Sequence, residues 1–103
     1  MPNLTELLGV LHEDLDLSSA EEIKEACILI VDIEALNGAE RDTLRTAFKH
    51  GPLWAGDVPS KTARDSLVAK GYMAYVIVKG EEGYSACTQK GFWAAKLIEV
   101  MYG

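Results

Sequence analysis

The hydrophobic pattern changes period at Gly71, and that change constrains the fold more than any other feature of the chain. Before it, apolar residues recur at helical spacing; from Tyr72 to Val78 they alternate as in a half-buried strand. Lys79-Gly80-Glu81-Glu82-Gly83 then reads as a glycine-flanked turn, and Tyr84 to Cys87 as the returning strand of a hairpin. Thr88 is a good N-cap, after which helical spacing resumes with Phe92, Trp93, Leu97, Ile98, Val100 and Met101. The expected fold class is therefore mainly α with one β-hairpin.

The helices ahead of Gly71 are marked by their caps. Leu4, Leu7, Leu8 and Leu11 predict a short amphipathic helix over about residues 3–12. Ser19 and Glu22 stand in capping-box spacing before a second helix whose Ile23, Ala26, Cys27, Ile30, Val31 and Ile33 are expected in the core. Asn37 and Glu40 repeat the box for a third, which brings Leu44, Ala47 and Phe48 to one face and ends at His50-Gly51-Pro52. Leu53 to Val58, between two prolines, is long enough for about one helical turn. Ser60 then caps a helix through Lys70, with Gly71 just beyond its end.

Charge divides the chain in two. Residues 1–36 carry nine acids and one base, Lys24, for −8; residues 37–103 carry nine bases and seven acids, for +2. With 103 residues, 49% of them hydrophobic, the chain suits one domain. We divide it into an acidic helical extension, 1–36, and a second part, 37–103, within one compact unit. The apolar runs are too short to span a bilayer, so no membrane contact is expected. With no basic residue before Lys24 there is no secretory pattern, and the expected location is cytoplasmic. Cys27 and Cys87 form no C-x-x-C pair and read as small buried apolar groups.

A helix, a tight helical turn, a further helix and a hairpin compose a winged helix-turn-helix, and four segments resemble that family. Leu36-Asn37-Gly38-Ala39-Glu40 looks like the opening of its first helix, and Gly51-Pro52-Leu53 like the turn into its short second one. Leu67-Val68-Ala69-Lys70-Gly71-Tyr72 is similar to the exit from a recognition helix into a wing strand. Thr88-Gln89-Lys90-Gly91 is similar to the step that closes the wing in multiple-antibiotic-resistance-regulator-type repressors. The stretch Gly56 to Asp65 also resembles small winged-helix proteins of phages and prophages. The resemblance covers residues 36–98 and implies a winged helix-turn-helix with an N-terminal helical extension, binding double-stranded DNA in transcription regulation.

On that reading Ser60, Lys61, Thr62 and Arg64 would meet the major groove from the third helix of the unit, and Lys79 the backbone from the wing. Glu81 and Glu82, expected at the wing tip, oppose a phosphate backbone. They point instead to a winged helix that binds a protein partner. Neither reading needs a cofactor. Nucleotide-binding and metalloprotease motifs are missing, so no enzyme is expected. His12, Glu13, Asp14 and Asp16 lack the glycine and closing glutamate of a calcium loop and read as a solvated acidic segment, with no metal. The last helix is apolar nearly all round. Trp93 and Leu97 are expected to face the core, while Phe92, Ile98, Met101 and Tyr102 need a second cover. Either the N-terminal helices or a second copy, in a homodimer through terminal helices, would supply it.

Overall fold

A computed structural model describes residues 4–12 and 20–102. Five helices, α1 (Leu4–His12), α2 (Ala20–Glu34), α3 (Gly38–His50), α4 (Lys61–Ala69) and α5 (Gln89–Tyr102), are joined by three strands. These are β1 (Leu53–Trp54), β2 (Met73–Val78) and β3 (Glu81–Cys87), forming an antiparallel sheet in the order β1-β3-β2. The Ser18-Ser19 cap and the Glu13, Asp14 and Asp16 cluster lie outside the described residues. No described helix is long and apolar enough to cross a membrane.

The capping residues act as their spacing predicts. The Glu40 amide donates to Asn37 Oδ1 (2.8 Å) and the Asn37 amide to Glu40 Oε1 (3.1 Å), which completes the box at the start of α3. Ser60 Oγ accepts from the Ala63 amide (3.1 Å), and Thr88 Oγ1 from the Gly91 amide (3.1 Å). Gly71 follows α4 at φ 86°, a left-handed value that glycine adopts without steric cost.

The core is centred on α5, against which α1, α2 and α3 all pack. Leu97 and Ile98 are fully buried, together with Leu11, Ile33 and Leu44 from the three surrounding helices. Leu67 of α4 and Met73 of β2 extend the same core toward the sheet. Acidic extension and second part thus share one hydrophobic cluster.

Four expectations need correction. Leu53 to Val58 is not a helical turn throughout: Leu53 and Trp54 pair with Ser85 and Tyr84, and a 3-10 turn (Ala55–Asp57) follows. The hairpin turn is only Lys79-Gly80, because Val78 pairs with Glu81 and β3 begins there. Within α2 the buried residues are Ala26, Leu29, Ile30 and Ile33, whereas Ile23 and Val31 face outward. Helical spacing offered two apolar faces, and packing against α5 selected one.

The fourth concerns α5. Ile98 and Met101 are buried within the chain, so a second copy is not needed to cover them. Phe92 rests against the Phe48 ring at 5.0 Å and under Lys96, and Arg41 lies 4.3 Å over the Tyr102 ring. Trp93 is half-buried, and Leu97 alone of the expected inward pair is fully enclosed.

Candidate nucleic-acid interface

The face in question is built from α4 and the β2–β3 hairpin, and two clamps set its geometry. The first joins α3 to α4. Buried Glu40 accepts through Oε2 from Lys70 Nζ and from Ser66 Oγ, both at 2.8 Å, across the gap between the helices. Burial alone would raise the Glu40 pKa; the Lys70 ammonium, the Asn37 amide and the Ser66 hydroxyl outweigh it and hold the carboxyl below its usual range. The carboxylate therefore caps α3 and fixes the end of α4 at once.

The second clamp joins the two ends of the hairpin. The Thr88 amide donates to the Tyr72 carbonyl (3.0 Å), and its hydroxyl donates to the Gly71 carbonyl (2.6 Å). Lys90 Nζ donates to the Lys70 carbonyl (3.0 Å) and stands 4.4 Å over the Tyr72 ring. Gly91 lies directly under the same turn: a Cβ there would come within 1.8 Å of the Tyr72 carbonyl oxygen. Lys70-Gly71-Tyr72 and Thr88-Gln89-Lys90-Gly91 thus meet in space. Their residue types are explained by this junction without any ligand. Burial, with Asp32 and Glu40 nearby, pushes the Tyr72 phenol up to about 12.

The sequence-predicted contact residues divide into two groups. Lys61 and Thr62 are exposed in the first turn of α4, and Lys79 is exposed at the hairpin tip. Ser60 is spent on its cap. Arg64 is also engaged: Nε and Nη2 lie 3.0 and 2.9 Å from Asp65 Oδ1, and the guanidinium is 5.5 Å over the Tyr75 ring. The Tyr75 hydroxyl donates to the same Asp65 oxygen. This network holds the Asp65 carboxyl below its ordinary range, with the Tyr75 hydrogen bond the largest cause and Arg64 the second. Tyr75 was invisible as a partner in the sequence because it approaches α4 from the neighbouring strand. Strand alternation pointed only to its face.

The hairpin tip differs most from expectation. Lys79 has φ 52° and Gly80 φ 79°, two consecutive left-handed residues in a two-residue turn. The apex side chain is therefore a lysine. Glu81 and Glu82 sit behind it on β3. A bulge follows, in which Ile77 alone faces Glu82 and Gly83. Gly83, at φ 92°, lies beside the Trp54 indole, whose other end covers Gly56 so closely that a Cβ there would overlap the ring. Trp54 thereby fastens the 3-10 turn to the base of the tip.

The described residues hold no group of three or more histidine, cysteine or acidic side chains able to bind a metal ion. Burial pushes the Cys87 thiol up to about 11, so at neutral pH it carries almost no thiolate. No family model matches the chain, and neither a characterised protein nor a solved structure is similar enough to be paired with it.

Proposed function

We propose that the chain is a non-enzymatic, cytoplasmic DNA-binding protein of the winged-helix type, acting in regulation. In this reading α4 enters the major groove with Lys61 and Thr62 foremost, and Lys79 meets the phosphate backbone from the wing. The observation that carries it is Lys79 itself. A left-handed apex suits asparagine or glycine, and a lysine there costs about 1 kcal/mol of backbone strain. Strain held at an exposed tip, under a cation on a protein of net charge −6, suits an anionic partner. The order α3, β1, 3-10 turn, α4, β2, β3 supports the same reading, with the three-residue 3-10 turn standing where a winged helix-turn-helix carries its short second helix.

The test is fluorescence anisotropy with a random-sequence duplex across a salt series. Wild type should bind at about 50 mM salt, and Lys61→Ala and Lys79→Ala should each flatten the log–log salt slope by about one unit. Absence of binding at about 50 mM salt overturns the reading. A second reading, a winged helix that docks a protein, is favoured by the exposed apolar residues of the sheet. Trp54, Tyr75 and Ile77 are 52, 58 and 67% exposed. Ile77→Lys separates the two: it removes apolar docking surface while adding a cation to a DNA-facing wing.

A further inference from the structure

Asp65 is the only acid of α4, and its charge opposes a phosphate backbone. Lys61, Asp65 and Ala69 follow one another at i, i+4 spacing and are all exposed, while Ala63 and Leu67 are buried on the other side of the helix. Asp65 therefore stands one turn behind Lys61, on the face that also carries Thr62. Its carboxylate is not free to turn. Oδ1 accepts from the Tyr75 hydroxyl and from Arg64 Nε at 3.0 Å, with Arg64 Nη2 at 2.9 Å. Oδ2 takes no hydrogen bond among the described residues. The result is a fixed acceptor on a solvent-facing helix, with its charge offset by Arg64.

Resting on the DNA-binding reading, we propose that Asp65 reads a cytosine in the major groove through Oδ2, and that Tyr75 and Arg64 position it. The choice of base follows from the donors each one offers. An ionised carboxylate only accepts, and so do guanine N7 and O6 and thymine O4, which would repel it. Adenine offers the N6 amino group but carries the N7 acceptor beside it. Cytosine offers the N4 amino group alone. The acid that weakens attraction to phosphate is thus the group that distinguishes one base pair from another.

Selection from a random-sequence duplex pool at about 50 mM salt, with wild type and variants in parallel, tests the proposal. Wild type should enrich a cytosine at one fixed position, and replacing that cytosine in the selected duplex should weaken binding about tenfold. Asp65→Asn keeps Oδ1 for Tyr75 and Arg64 but puts an amide donor in place of Oδ2, so that position alone should lose its cytosine. Asp65→Ala should strengthen binding to random-sequence duplex, because Arg64 is left as an uncompensated cation, while the preference for the selected duplex falls about tenfold. Loss of folding would weaken binding to both. Tyr75→Phe keeps the ring and the charge, so the salt slope should stay unchanged while the cytosine preference falls at least about threefold. An undiminished preference in Tyr75→Phe overturns positioning by Tyr75. A wild type that binds duplex without base preference overturns the reading of cytosine and leaves DNA binding intact, as does an Asp65→Asn protein that selects the wild-type sequence. A wild type that binds no duplex overturns both.

Discussion

The base and the tip of the hairpin are only a few residues apart along each strand, yet they are built on opposite principles. At the base, Tyr72 and Met73 are buried, the chain crosses itself at Thr88, and Lys90 and Gly91 close over Tyr72. At the tip, Ile77 is exposed, the ladder is bulged, and a lysine holds a left-handed conformation. At the base the left-handed position is a glycine, Gly71; at the tip it is a lysine. The comparison teaches where each kind of sequence signal belongs. Lys70-Gly71-Tyr72 and Thr88-Gln89-Lys90-Gly91 serve the junction, and the residue without a structural reason stands at the apex.

The largest expected effect is at the base. Gly91→Ala places a Cβ 1.8 Å from the Tyr72 carbonyl oxygen and 2.9 Å from its carbon, both backbone atoms that cannot yield without moving the start of α5. Such an overlap belongs with the severe class of substitutions, about 4 kcal/mol or more. For a chain of this size that corresponds to a fall in Tm of more than about 15 °C. A Gly91→Ala protein melting within about 5 °C of wild type would mean that the junction is loose and the contrast with the tip unreal.

Next comes the clamp that orients α4. Glu40→Gln removes the charge that receives Lys70 and should cost about 2 kcal/mol at neutral pH, read by urea denaturation. The sign of the pH dependence follows from the depressed pKa. The contribution is complete above the unfolded value of about 4.3 and is lost as pH falls through the lower folded value. Wild type and Glu40→Gln should therefore differ at neutrality and converge in acid. A constant difference across the whole range would show that the ion pair with Lys70 contributes nothing.

A smaller loss is expected at Thr88. Thr88→Val keeps the shape but removes the hydroxyl that accepts from Gly91 and donates to Gly71. The expected cost is about 1–2 kcal/mol, in the range of a lost N-cap, by thermal or chemical denaturation. A neutral outcome would leave the close packing of Gly91 as the sole strength of the junction.

What could be read from the sequence follows the distance between interacting residues. The caps at Asn37, Ser60 and Thr88 were legible because donor and acceptor are three residues apart. The same holds for Gly71, whose role depends on the helix just before it. Strand β1 was not legible: two residues become a strand only because Ser85 and Tyr84, some thirty positions later, lie alongside. The turn was misplaced because Glu81 and Glu82 are polar and flanked by glycines, and the bulge that keeps them in β3 is set by pairing with β2. At the candidate site, exposure of Lys61, Thr62 and Lys79 followed from pattern. The capture of Arg64 by Asp65 and Tyr75 required knowing which strand packs on α4.

The smallest expected effect has the opposite sign and bears most directly on function. Lys79→Asn places at the first turn position a residue that tolerates φ 52°, while Gly80 already suits the second. The hairpin should gain about 0.5–1 kcal/mol, a rise in Tm of roughly 2–6 °C. The same substitution removes the apex cation, so binding to duplex DNA should weaken and its salt slope flatten by about one unit. Stability and binding would then move in opposite directions at one residue, which neither an unfolding variant nor an inert surface substitution can produce. A stabilised protein that binds DNA as well as wild type would place the interface elsewhere and remove Lys79 from it. A protein with no gain in stability would show that the left-handed apex carries no strain, and the contrast between tip and base would then rest on exposure alone.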